Sequence, residues 1–159
     1  MVSIISDMDG VIYRGNNLID GAKDFINMLL EKNVSFLFLT NNAEQTPIDL
    51  KRKLESLGVS GLEDKHFFTA AQATANFLKT QQENGSAYVI GTGGLVSELY
   101  NIGYSINDVN PDYVVVGKTS AFNFDMLKKA VSLINKGARF IGCNPDITDP
   151  ASDGELIPA

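Results

Sequence analysis

Cysteine occurs once in these 159 residues, at Cys143, so no disulfide framework can form within the chain. A single thiol suits a reducing compartment, and a cytoplasmic location is expected. Histidine also occurs once, at His66, and a lone histidine is more often structural than a ligand. No apolar stretch approaches the ~20 residues of a membrane-spanning helix, so no membrane partner is expected. The N-terminal apolar run is too short for a signal peptide and has no basic region ahead of it. Basic residues are the minority: 13 Lys and Arg against 19 Asp and Glu leave a net charge of −6. With no basic stripe, the sequence argues against nucleic acid as a polymer partner. A small phosphate ester stays open, because it needs only local positive charge or a metal. Repeats and low-complexity tracts are absent too.

Two nucleotide motifs are approached and missed. Gly91-Thr92-Gly93-Gly94 follows a strand and opens a helix, but Val96 stands where the third glycine of a dinucleotide turn belongs. It reads as a tight strand–helix turn. Gly117-Lys118-Thr119 follows Val114–Val116, but Asp112 occupies the position of the first P-loop glycine. Cys143 closes an apolar strand and reads as a small buried hydrophobe.

What is present begins at Asp7-Met8-Asp9-Gly10, directly after Val2-Ser3-Ile4-Ile5-Ser6. The short, β-branched apolar run predicts a buried strand. Gly10 lets the backbone turn sharply. Two carboxylates are therefore delivered to the carboxyl end of a strand, where open α/β sheets place ligands. Such a pair can bind a divalent cation through hard oxygens. One acid can also act as nucleophile while its neighbour moves protons. Asp and Gly are equally at home in an ordinary turn.

A second strand, Val34–Leu39, ends in Thr40-Asn41-Asn42. Between the two strands, Gly21–Lys32 places Ala22, Phe25, Ile26, Leu29 and Leu30 on one helical face. A strand–helix–strand unit forms a parallel pair, so both polar tips emerge at one sheet edge. A hydroxyl, an amide and backbone N–H groups beside a carboxylate pair make a phosphate seat.

The alternation continues in α/β fashion. Thr46-Pro47 predicts a helix start, Gly58 a stop after about Leu57, and Lys65–Phe68 a short strand. A helix from Thr69 to Leu78 follows, with Ala70, Ala73 and Phe77 on one face. The polar stretch Gln81–Ser86 contains Asn-Gly and marks a boundary, giving domains at 1–82 and 83–159. Strands are then expected at Ala87–Ile90, Tyr104–Ile106, Asp112–Gly117 and Arg139–Cys143, and helices at Gly94–Asn101 and Phe124–Lys136. Phe122, Phe124 and Met126 are expected in the core of the second part.

The strand with Asp7-Met8-Asp9-Gly10-Val11 and the strand with Thr40-Asn41 resemble the haloacid dehalogenase superfamily of phosphatases. More narrowly, the chain resembles its branch of NagD-type nucleotide phosphatases and p-nitrophenylphosphatase-like enzymes. Phe68-Thr69-Ala70, Asn110-Pro111-Asp112-Tyr113 and the run from Gly137-Ala138-Arg139 to Asn144-Pro145-Asp146 keep that order across Met1–Ala159. The resemblance implies a Rossmann-like parallel core, incomplete here, plus a smaller α/β cap. It implies that Asp7 attacks phosphorus to form an aspartyl-phosphate and that Asp9 protonates the leaving group and later activates water. It implies that Thr40 and Asn41 hold phosphoryl oxygens and that Asp146 lies on a substrate-selecting cap loop. It also implies Mg2+, held by an Asp7 oxygen and the Asp9 backbone carbonyl. The implied substrate is a small phosphomonoester such as a nucleoside monophosphate.

The same pattern needs a later lysine and a further acidic pair, and neither is found. Lys118, Asp146 and Asp149 fall in the cap by the resemblance. The sequence is therefore expected to be the first part of a longer enzyme. The alternative is a catalytically incomplete phosphate- or metal-binding module or an interaction protein. A signalling receiver domain is a weaker rival, since its architecture has no place for the second half. An open apolar edge strand invites pairing with another copy, so a homodimer is among the expected assemblies.

Overall fold

The computed structural model describes residues 3–150 and 155–158. Met1, Val2 and Ala159, which entered the sequence reading, lie outside that range. Strand β1 (Ser3–Asp7) pairs in parallel with β4 (Ser35–Thr40), and β4 pairs in parallel with β5 (Phe67–Thr69). The sheet order β1–β4–β5 puts β1 at an edge. Between β1 and β4 come a small hairpin, β2 (Tyr13–Arg14) with β3 (Asn17–Leu18), and helix α1 (Ala22–Glu31). Helix α2 (Pro47–Ser56) and a 3-10 turn (Asp64–His66) connect β4 to β5.

Helix spacing explains the packing. Ala22, Ile26 and Leu29 recur at helical intervals on α1, and Leu50 and Leu54 do so on α2; all are buried. All but Leu29 join Met8, Tyr13, Phe38 and Phe67 in one apolar cluster. Burying each Leu or Ile contributes roughly 1.5–3 kcal/mol. The other face of the sheet is bare: Ile5 is 67% exposed and Leu39 37%. The expectation of a fully buried first strand is thus corrected. An apolar run does not report two-sided burial when the strand has one neighbour and one covered face.

A second apolar core is built on a four-stranded parallel sheet. Its strands are β6 (Ser86–Ile90), β7 (Ser105–Ile106), β8 (Tyr113–Val116) and β9 (Arg139–Gly142), in the order β7–β6–β8–β9. Helix α3 (Ala70–Gln81) and α4 (Gly93–Asn101) share a cluster with Ala87, Tyr113 and Val115. Helix α5 (Phe124–Asn135) packs Ala130 and Leu133 in a separate cluster with Ile90 and Val114. By contacts the chain forms two compact units. One comprises residues 1–40, 47–69 and 146–159, and the other residues 41–46 and 70–145. Among the described residues no helix is long and apolar enough to cross a membrane.

Several local expectations shift. The buried face of α3 is Ala70, Ala71, Thr74, Ala75 and Leu78, whereas Ala73 is exposed and Phe77 is 46% exposed. Two stripes satisfied the same period, and tertiary packing chose the one that ends in Leu78. Phe122 and Phe124 are 52% and 70% exposed, and only Met126 packs against the core. Lys65 and His66 belong to the 3-10 turn, not to a strand. There the His66 ring accepts the Glu63 N–H at 2.9 Å and stacks on Phe36. A hairpin of β10 (Thr148–Pro150) and β11 (Leu156–Pro158) follows where no element was expected.

Two contacts show why particular residues stand where they do. A side chain at Gly94 would place its Cβ 2.5 Å from the Glu44 carbonyl oxygen, while Gly93 has open space. Thr92 Oγ1 donates to the same Glu44 carbonyl at 2.9 Å. Gly94, and not Gly93, is therefore a packing device for the 41–46 segment. Asp112 Oδ2 accepts the Ser86 N–H at 2.8 Å and the Ser86 hydroxyl at 2.7 Å, tying the starts of β8 and β6 together. These bonds stabilise the ionised carboxylate and lower its pKa below 3.8, with the Ser86 hydroxyl the largest cause.

Gly94→Ala should cost about 1–3 kcal/mol in thermal or denaturant unfolding, as over-packing against fixed backbone does. Gly93→Ala should be neutral or slightly stabilising. Equal effects at both positions would contradict the packing role. For Asp112 the folded-state pKa is the lower one, so its stabilisation is full above the ordinary carboxylate value and disappears as pH falls below it. Asp112→Asn should lower Tm at neutral pH, and the difference from wild type should shrink on acidification below about pH 4.

Candidate active site

The site grows from the pleat of β1. Alternation sends Met8 inward, fully buried, and leaves Asp7 and Asp9 on the outside. The Met8 carbonyl accepts N–H groups from Val11 at 3.2 Å, Ile12 at 2.8 Å and Tyr13 at 3.3 Å. Gly10, in the left-handed region at φ 78°, donates its N–H to the Tyr13 carbonyl at 2.8 Å. That tight turn places the buried Tyr13 ring beneath Asp9.

Asp7 stands at the strand end opposite Leu39 in the register, and its Oδ1 accepts the Met8 N–H at 2.7 Å. Asp9 Oδ2 receives two hydroxyls at 3.4 Å each, from Tyr13 and from buried Thr40 at the end of β4. Lys53, half-buried on α2 between Leu50 and Leu54, lays its ammonium 3.6 Å from the centre of the Tyr13 ring. The structure thus gathers Asp7, Asp9, Thr40, Tyr13 and Lys53. Asn41 follows Thr40 directly and is exposed. Asp146 is exposed between β9 and β10.

Asp9 reaches solvent, yet the protein packed beneath it raises its carboxyl pKa; desolvation is the largest cause. The Lys53 charge opposes that rise, the Asp7 charge adds to it, and the Thr40 and Tyr13 hydroxyls oppose it. Burial, rather than the neighbouring Asp7 carboxylate, comes first. Lys53 is lowered by its own partial burial, against the pull of Asp9. Tyr13 is raised strongly, by burial and then by Asp9. Among the described residues no three His, Cys, Asp or Glu side chains converge as a metal centre.

Sequence reading missed Tyr13 and Lys53. Lys53 sits in Lys51-Arg52-Lys53, which looks like a solvated basic face. Lys51 does behave that way, pairing loosely with Asp64 at 3.5 Å. The available signal was helical phase: Lys53 lies three residues after buried Leu50 and next to buried Leu54.

The pattern of the family described as haloacid dehalogenase-like hydrolase matches residues 4–105. The chain belongs to that family. It is 42% identical over 158 residues to dihydroxyacetone phosphatase of Corynebacterium glutamicum, covering 99% of this chain and 57% of that protein. It is 44% identical over 144 residues to the ribonucleotide monophosphatase NagD of Escherichia coli, covering 91% of this chain and 57% of that one. The solved NagD structure superposes with a TM-score of 0.85 at 42% identity, over 94% of this chain and 59% of that chain. A glycerol phosphate phosphatase of Mycobacterium tuberculosis, solved with magnesium, gives a TM-score of 0.86 at 27% identity over 99% of this chain and 47% of that one. The α/β fold with parallel sheets and the NagD-like family resemblance are both borne out. The chain spans a little over half the length of the curated relatives it matches.

Proposed function

We propose that the protein is a phosphomonoesterase that works through an aspartyl-phosphate on Asp7. The observation that carries this is the pairing of an exposed strand-end carboxylate, Asp7, with a second carboxyl, Asp9, whose surroundings favour its protonated form. An Asp7 carboxylate oxygen attacks phosphorus, and the bond from phosphorus to the ester oxygen breaks. Asp9 gives its proton to the departing oxygen. Water then attacks the phosphorus of the aspartyl-phosphate, Asp9 takes its proton, and phosphate leaves with Asp7 regenerated. The Met8 N–H on Asp7 Oδ1 limits the carboxylate's rotation. Thr40 would hold a phosphoryl oxygen, as would Asn41.

Hard carboxylate and carbonyl oxygens at the end of β1 suit Mg2+ better than a soft metal. An Asp7 oxygen and the Asp9 carbonyl would hold it, and it would neutralise charge on the phosphoryl group. The substrate class is a small phosphate ester. A nucleoside monophosphate stays the specific candidate, with a triose phosphate beside it because of the names of the two relatives. Asp146 would help select among them. The division at 1–82 and 83–159 into hydrolase core and cap, and a cytoplasmic location, belong to the same reading.

A second reading rests on how few acids converge among the described residues. In it, these 159 residues alone bind a phosphate ester without turning it over. Turnover by this chain above a matched Asp7→Asn control would end that reading.

The primary test is phosphate release from p-nitrophenyl phosphate and from nucleoside and triose phosphates by the full-length protein, with magnesium and with chelator. Asp7→Asn should lower kcat by about 1,000-fold or more, as loss of a nucleophile does. A full rate after that change would refute the aspartyl-phosphate mechanism.

A further inference from the structure

We propose that Lys53 is a positioning residue for the proton-donating Asp9, acting through the Tyr13 ring; this rests on the phosphatase reading above. The Lys53 ammonium lies 3.6 Å from the centre of the Tyr13 ring, and the hydroxyl of that ring donates to Asp9 Oδ2 at 3.4 Å. Two elements therefore meet at one carboxyl oxygen, the turn after β1 through Tyr13 and the end of β4 through Thr40, and α2 reaches the Tyr13 ring through Lys53.

An ammonium loses hydration when it is half-buried, so its position needs a compensating partner. Lys53 has two of them, the negative face of an aromatic ring and the charge of Asp9. Its neighbours on α2 differ, since Lys51 pairs loosely with Asp64 and Arg52 is exposed. The two hydroxyl bonds to Asp9 are long, and bonds of 3.4 Å hold a carboxyl weakly. A cation over the ring face helps to hold the ring in place, and with it the hydroxyl that meets Asp9. Proton transfer to a leaving oxygen depends steeply on such alignment.

Leaving groups separate this role from a general loss of fold. A p-nitrophenolate leaves with little help from a proton, whereas an alkoxide needs one. The experiment compares kcat/KM for p-nitrophenyl phosphate with kcat/KM for one alkyl phosphate that the wild-type full-length protein turns over. Candidates for the latter are dihydroxyacetone phosphate, glycerol phosphate and nucleoside 5′-monophosphates. Lys53→Met keeps most of the stem and removes the charge. It should lower the alkyl value by about tenfold or more relative to the aryl value, a modest share of what general acid catalysis contributes. Lys53→Arg, which keeps a cation for the ring, should restore most of the difference. Tyr13→Phe should show the same selective loss, and it carries the test if Lys53→Met fails to fold. Equal losses on both substrates, or no loss, would overturn the positioning role while leaving the phosphatase reading intact. A wild-type protein inactive on every ester would refute the phosphatase reading itself.

Discussion

Burial of Met8 is the constraint on which the site depends. Its side chain is fully enclosed and its carbonyl collects three N–H groups from the turn that follows. A strand side chain pointing inward forces its two neighbours outward. Asp7 and Asp9 thus project from one short stretch of backbone that cannot slip by a residue without burying both charges. A one-residue slip would exchange the faces of β1 and cost far more than a surface rearrangement.

The same turn sets the electrostatics. By carrying Tyr13 under Asp9, it places a wide apolar body beneath a carboxyl that still reaches solvent. Desolvation then outweighs the nearby positive charge in deciding the direction of the Asp9 shift. Lys53 acts in the opposite sense, so burial and a nearby cation push the protonation of this carboxyl in opposite directions. The arrangement needs α2 at a particular rotation, and Leu50 and Leu54 fix that rotation by burial.

The second unit follows different priorities. Its parallel sheet is covered by separate clusters, one shared by α3 and α4 and the other formed with α5. Small residues decide how closely its parts approach. Gly94 meets the Glu44 carbonyl, and the alanines of α3 form the buried stripe. Larger residues at the same helical period, such as Phe77, are left on the surface. Volume, not hydrophobicity alone, selects the face that packs.

Much of this protein was legible from residue order. Apolar runs alternating with helical periods determined the α/β class, because a period of two and a period near four cannot be satisfied by one conformation. Asp7-Met8-Asp9-Gly10 and Thr40-Asn41 stood out because a strand–helix–strand crossover brings two such polar strand ends to one sheet edge. Other features depended on the fold. Ile5 looked like a core residue and is exposed, because sheet order and coverage are not local properties. Ala73 and Phe77 fitted a helical face that packing did not choose. Lys53 looked like one more surface lysine, since its meeting with Tyr13 spans 40 positions of chain. Local sequence determined which elements form and which polar residues stand at their ends; tertiary structure decided which of them meet, because long-range contacts are set by how whole faces fill space.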